Sequence, residues 1–161
     1  MTRIGLLSDT HSFFDPKLPE LFKNCDQIWH AGDIGNYQVI EQLRAIKPLV
    51  AVAGNIDDQL TRTEFGTHKR FECEEVDILL THIGGYPGKY APEVRSHLKS
   101  FPPKLLISGH SHICKVQYDN RLKMLTINPG AAGNHGWHTV KTIIRFVING
   151  SNIEQMEVVE W

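Results

Sequence analysis

Apolar residues in this chain fall in short runs that end in polar, glycine-containing motifs, and that rhythm predicts most of the elements. Ile4 to Ser8 reads as a short buried strand, followed by a loop with Asp15, Pro16 and Pro19. A helix is expected over Pro16 to Asn24. Asp15 would be its N-cap, and Pro16 its first residue, where an N–H is not needed. Gln27 to His30 predicts a second strand, and Tyr37 to Ala45 carries Val39, Ile40 and Leu43 at helical spacing. Pro48 ends that helix, and Leu49 to Ala53 predicts a third strand. Strand and helix alternating in this way argue for a parallel sheet.

The second half is richer in strands. Lys69 to Cys73 and Asp77 to Thr81 read as an antiparallel pair, Pro92 to Ser100 as a helix, and Leu105 to Ser108 as a buried strand. Ile113 to Tyr118 and Leu122 to Ile127 flank Asp119-Asn120-Arg121, a hairpin signal. A stronger one is Asn149-Gly150, between Lys141 to Ile148 and Ile153 to Val159. No repeat, low-complexity tract or linker interrupts the chain. The sum is an α/β core, with two packed sheets covered by helices, in a single domain over residues 1–161.

Composition narrows the function classes. A domain of 161 residues buries enough surface to stand without disulfides. Cys25, Cys73 and Cys114 are odd in number and form no C-x-x-C pair, so buried free thiols are expected rather than a zinc–thiolate site. A net charge of −1 carries no broad nucleic-acid footprint. The apolar stretch before Asp9 is too short for a signal peptide or a membrane span, so the cytoplasm is the expected location. Trp29, Trp137 and Trp161 are too scattered for base stacking. Histidine is the unusual residue, with nine copies.

The histidines fall where chemistry collects. Asp9-Thr10-His11 follows the first strand, Gly32-Asp33 the second, and Gly54-Asn55-Ile56-Asp57 the third. His82 ends the strand over Ile78 to Thr81, and Gly109-His110-Ser111-His112 follows Leu105 to Ser108. Ligand sites in open α/β sheets lie beyond the carboxyl ends of strands, so these motifs can share one crevice. Side chains two apart on extended backbone point the same way, which pairs Asp9 with His11 and His110 with His112. Carboxylate and neutral imidazole suit zinc, manganese, iron or nickel. Each motif alone is weak: Asp-x-His and Gly-Asp are ordinary caps or turns, His82 by itself could be a satisfied core histidine, and only the paired histidines of Gly-His-Ser-His are less ordinary. Their joint order after successive strands carries the inference.

This series, Asp9-x-His11, Gly32-Asp33, Gly54-Asn55, His82 and Gly109-His110-x-His112, resembles the calcineurin-like metallophosphoesterase superfamily. Within it the chain is similar to the small single-domain bacterial and archaeal phosphodiesterases, a group that includes relatives of a retromer subunit. The resemblance runs from Ser8 to Gly133. It implies a four-layer α/β/β/α sandwich of two mixed sheets flanked by helices. It also implies two divalent metal ions, with manganese expected and zinc, iron or nickel as alternatives. One ion would be held by Asp9, His11 and His112, the other by Asn55, His82 and His110, with Asp33 bridging them. The implied activity is hydrolysis of a small phosphate ester, most naturally a diester. Paired cations about 4 Å apart acidify a shared water, whose hydroxide attacks phosphorus. Asp33, Asn55 and His82 would be the catalytic residues.

One position departs from the family pattern. Ile56 stands where many members have a histidine that contacts phosphate and assists the leaving group. General acid catalysis is worth about 10²–10⁴-fold, so slow turnover or a bias toward good leaving groups is expected. Asp57 is either a ligand-orienting group or a solvated loop carboxylate. His135 and His138 follow Asn128-Pro129-Gly130, which resembles the family's turn beside the site; they are substrate-binding candidates, with exposed loop histidines as the plainer reading. His30 is expected to hydrogen-bond near the site without being a ligand, and His68 and His97 to lie on the surface. The competing function is a weakly active or non-catalytic interaction module on the same fold, and homo-oligomerisation stays open.

Overall fold

The computed structural model describes residues 1–161. In chain order the elements are β1 (Thr2–Leu7), α1 (Leu18–Leu21), β2 (Gln27–His30), α2 (Tyr37–Ile46), β3 (Leu49–Ala51) and α3 (Gln59–Phe65). There follow β4 (His68–Cys73), β5 (Val76–Thr81), β6 (Gly85–Tyr86), β7 (Lys89–Tyr90) and α4 (Pro92–Lys99). The chain closes with β8 (Leu105–Ile107), β9 (Cys114–Asp119), β10 (Met124–Pro129), β11 (Thr142–Asn149) and β12 (Asn152–Glu160).

Ten strands form two five-stranded mixed sheets, ordered β12-β11-β1-β2-β3 and β4-β5-β8-β10-β9, and β6 pairs with β7 in a separate two-stranded hairpin. Strands β1, β2 and β3 run parallel, as the alternating pattern predicts, and β5, β8 and β10 form a second parallel set.

Side-chain alternation explains the layering, because successive residues of a strand face opposite sides of its sheet. Ile4 and Leu6 of β1, Trp29 of β2 and Ile144, Phe146 and Ile148 of β11 meet Ile78, Leu80, Leu105 and Ile107 of the other sheet in a central core. The other face of the first sheet, including Leu7, Ile28 and Ile143, packs against Leu18 of α1 and Val39, Ile40 and Leu43 of α2. The outer face of the second sheet does the same, placing Leu79, Leu106 and Met124 against Val94 and Leu98 of α4. Helix, sheet, sheet, helix is the result: the expected four-layer α/β/β/α sandwich.

Local boundaries differ in instructive ways. Helix α1 is only Leu18–Leu21, without a side-chain cap, and Pro19 rather than Pro16 lies in its first turn. Asp15 bends the preceding loop instead, accepting from Lys17 N at 2.9 Å with Oδ1 while Oδ2 bonds Lys141 and Trp161. The last hairpin pairs Asn149 with Asn152, so its loop is Gly150-Ser151 and not Asn149-Gly150. All three cysteines are free, Cys25 and Cys73 buried and Cys114 half-buried. No helix is long and apolar enough to cross a membrane.

Candidate metal centre

Five loops supply the site, each just beyond the carboxyl end of β1, β2, β3, β5 or β8. Main-chain bonds lace them together. Asp9 N donates to Gly32 O at 3.0 Å, His11 N to Asp33 O at 3.0 Å, and Gly109 N to His82 O at 2.9 Å. A Cβ on Gly54 would overlap Asp33 Oδ1 and the Asp33 main-chain nitrogen, so the β3 loop can lie against Asp33 only with glycine there.

The crevice brings together two groups of three. Asp9, His11 and His112 form one, and Asp33, His82 and His110 the other, with the donor atoms of each group within 4.8 Å of one another. Asp9 Oδ1 lies 3.1 Å from His112 Nε2 and 3.8 Å from His11 Nε2. Asp33 Oδ2 stands between the groups, 3.4 Å from His11 Nε2 and 3.2 Å from His82 Nε2. Ligand atoms about 2.0–2.2 Å from one cation are about 3.0–3.6 Å apart; the spacings of 3.1, 3.2 and 3.4 Å fall in that range, and the 3.8 Å between Asp9 and His11 lies just outside it.

Hydrogen bonding singles out the same atoms. Asp9 Oδ2 is occupied, accepting from Ser8 Oγ at 2.6 Å and His110 N at 3.1 Å. Asp33 Oδ1 accepts from Ile56 N at 3.1 Å. Each carboxylate therefore uses one oxygen to fix its orientation and turns the other inward. His82 Nδ1 bonds Ala31 O at 2.7 Å, which assigns the proton to Nδ1 and the lone pair to Nε2. Asp9 Oδ1, His11 Nε2 and His82 Nε2 are buried with no hydrogen-bond partner. Buried polar atoms are rarely left this way, and these three, two in the Asp9 group and one in the Asp33 group, are free donors toward divalent cations.

Backbone strain coincides with the site. Asp9, His11, Asp33, His110 and His112 all have positive φ, between 45° and 70°. Non-glycine residues adopt this region at a cost, and they do so chiefly where function requires a particular side-chain direction.

Electrostatics follows from the crowding of opposite charges. Burial pushes the Asp9 carboxyl up, but His11, His82 and Ser8 outweigh it and hold it below the ordinary range. Asp33 is likewise held down against its burial, chiefly by His82. Burial opposes the charged form of His82, yet Asp33 and Asp9 raise its pKa overall, while burial prevails at His112 and lowers it. Both carboxylates are thus poised to be anionic, as a cation requires.

Supporting residues complete the frame. His30 is fully buried, and burial lowers its pKa to about 3, so it stays neutral. Its Nδ1 accepts from Gly32 N at 3.1 Å, and its Nε2 therefore donates to Thr10 Oγ1 at 3.0 Å. It buttresses the site without entering it, as expected. Asp57 is not a solvated loop carboxylate: it is buried and accepts from Ile34 N, Gly35 N and Gly54 N at 3.1, 2.8 and 2.7 Å. It ties the β3 loop to the β2 loop.

Asn55 is exposed on that loop, between Gly54 and Ile56. His135 is exposed but stacks on His11, with ring centroids 4.6 Å apart, and His138 meets His112 edge-on at 5.3 Å. His135 is thus an exposed loop histidine, as the plainer reading has it, while His138 is half-buried and bonds Gly133 O at 2.7 Å. His68 and His97 are half-buried rather than superficial, and His68 bonds Thr81 Oγ1 at 2.8 Å.

Comparison with known proteins points in one direction. Residues 2–151 match the calcineurin-like phosphoesterase superfamily domain. A probable metallophosphoesterase of Methanocaldococcus jannaschii is 33% identical over 135 residues, covering 80% of this chain and 67% of that protein. Among solved structures, a novel archaeal phosphodiesterase superposes with a TM-score of 0.72 at 22% identity, covering 98% of this chain and 99% of that one. Vps29 from Entamoeba histolytica, solved in complex with Zn²⁺, superposes with a TM-score of 0.72 at 16% identity, covering 99% and 98%. At such identities the structural likeness speaks for the fold alone.

Proposed function

Because this chain belongs to the calcineurin-like phosphoesterase superfamily, we propose that it is a phosphodiesterase working with two divalent metal ions, manganese foremost. The observation that carries this reading is the convergence of unpartnered Asp9 Oδ1, His11 Nε2 and His82 Nε2 at the strand ends. Asp9, His11 and His112 would hold one ion, and His82 and His110 the other with Asn55 at its exposed side. Asp33, within reach of both His11 and His82, would be shared.

Bound divalent ions supply Lewis acidity toward the phosphoryl oxygens and lower the pKa of a coordinated water toward neutrality. The chain's own residues do the rest. Ser8 and the His110 amide fix Asp9, the Ile56 amide fixes Asp33, and the Ala31 carbonyl fixes the tautomer of His82. The centre is therefore preorganised before substrate arrives. His135, exposed and stacked on His11, and His138 beside His112 are the imidazoles available to contact phosphate. Ile56 offers no proton, so the leaving group departs with little acid assistance and turnover is slow.

A second reading, an interaction module with little activity, draws on the exposed apolar Ile56 and on the likeness of fold to Vps29. Hydrolysis of bis-p-nitrophenyl phosphate by manganese-loaded protein separates the two. Activity that is lost in Asp33→Ala is the expected result. Equal rates in both proteins would remove the enzyme reading.

A further inference from the structure

Beside the metal centre lies a cavity of about 520 Å³ that the hydrolytic chemistry does not itself require. It is bounded by the β6–β7 hairpin, the first turn of α4, the β8–β9 loop and strands β9 and β10. Its volume falls in the ordinary range of small-molecule sites, about 300–1,000 Å³. His110, one of the candidate ligands, lines it, so the cavity opens from the centre itself.

The lining has a definite charge. Lys89, Arg95 and Lys115 face this space and no aspartate or glutamate does, in a chain that as a whole carries 18 acidic and 17 basic residues. None of the three belongs to the chain's ion-paired cations. Arg95 spends its Nε on Tyr90 O at 3.1 Å. Lys115 Nζ stands 5.7 Å from the centre of the Tyr86 ring, joining β9 to the hairpin. Tyr86 and Ile113 add exposed apolar surface, 50% and 64% accessible. Gln117, also in the lining, holds its Oε1 buried without a partner. Three unpaired cations call for an anion, the Tyr86 ring offers a stacking face, and Gln117 can accept from a hydroxyl or amine.

We propose that this cavity receives the organic substituent of the ester, and that this substituent is a flat-ringed group with a negative charge of its own, of the nucleoside monophosphate kind. The proposal rests on the phosphoesterase reading of the neighbouring centre, but its test does not need hydrolysis. The full chain is treated with EDTA and titrated with adenosine 5′-monophosphate and with adenosine, following backbone amide shifts by NMR. The monophosphate should bind at least tenfold tighter than adenosine, with the largest shifts at Tyr86, Ile113 and Lys115. Lys115→Ala and Arg95→Ala, both at exposed positions, should each weaken it about fivefold or more while leaving the melting temperature unchanged. Asp33→Ala should bind like the wild type, which separates this result from any failure of the hydrolase reading. Absence of binding, equal affinity for adenosine, insensitivity to both cation variants, or shifts confined to His11, His112 and His135 would each overturn the proposal.

Discussion

The main-chain N–H of Ile56 donates to Asp33 Oδ1 at 3.1 Å while the Ile56 side chain is 48% exposed. Position 56 therefore divides its work: the backbone orients a carboxylate, and the side chain is free to change. Ile56→His should keep the Asp33 geometry and place an imidazole at the exposed edge of the site. For alkyl phosphodiesters, whose leaving groups need a proton, turnover should rise by about 10²–10⁴-fold. The gain with bis-p-nitrophenyl phosphate should be much smaller, because its leaving group departs unaided. Stability should move by less than about 0.5 kcal/mol. Comparing kcat for the two esters in both proteins checks this, and unchanged rates on both would show that position 56 does not reach the leaving group.

Asp57 should matter more to stability than any other loop residue around the centre. Its buried carboxylate accepts three main-chain amides from two loops. Asp57→Ala leaves those donors without a partner, at an expected cost of about 3–5 kcal/mol. Asp57→Asn keeps one acceptor oxygen and should lose about half as much. Urea unfolding at an unchanged m-value measures both. A loss below about 1 kcal/mol in the alanine variant would mean that water replaces the carboxylate without difficulty.

Much of this architecture was legible because its signals are local. Apolar runs of strand length followed by polar motifs located β1, β2, β3, β5 and β8, and the residues after them are those that the fold gathers. Long-range contacts were not legible. Asp15 looks like a helix cap until Lys141 and Trp161, more than a hundred residues away, claim its carboxylate. Helix α3 is absent from the elements that the pattern predicts, because it has little apolar periodicity; the local signal present is Asp58, whose side chain accepts from Thr61 N. The β6–β7 hairpin has strands of two residues each, too short for any period, yet it walls the cationic cavity. Asp57 allowed two readings, because main-chain amides of the β2 loop decide between them.

Metal binding should be visible as stability, independent of catalysis. An ion that binds only the folded chain at 100 times its Kd adds about 2.7 kcal/mol. For a domain of this length that is roughly 5–10 °C in Tm. Manganese or zinc added to EDTA-treated protein should give such a shift, and EDTA should reverse it. If Asp33 is shared between two ions, Asp33→Ala should weaken both binding events in calorimetry, whereas His112→Ala should remove one and leave the other. One event in the wild type would indicate a mononuclear centre.

Acid should weaken the clasp formed by Asp15. Its Oδ2 accepts from Lys141 Nζ at 2.5 Å and from Trp161 Nε1 at 2.9 Å, joining the loop after β1 to the residue before β11 and the residue after β12. Burial pushes this carboxyl up, but the hydrogen bonds from Lys141, Trp161 and the Lys17 amide outweigh it and leave its pKa below the ordinary value. A carboxyl depressed in the folded state binds its proton more readily when unfolded. The stability it contributes is therefore complete above the unfolded pKa of about 3.9 and disappears as pH falls through the lower folded value. Asp15→Asn should cost about 1–3 kcal/mol near neutral pH, since an amide oxygen is a weaker acceptor for the lysine. Below about pH 4 the wild type should lose the same increment, and the two unfolding curves should draw together. Urea titrations followed by tryptophan fluorescence, with Trp161 reporting on the clasp itself, would measure that convergence. A gap that stays constant with pH would place the contribution of Asp15 in its packing rather than in its charge.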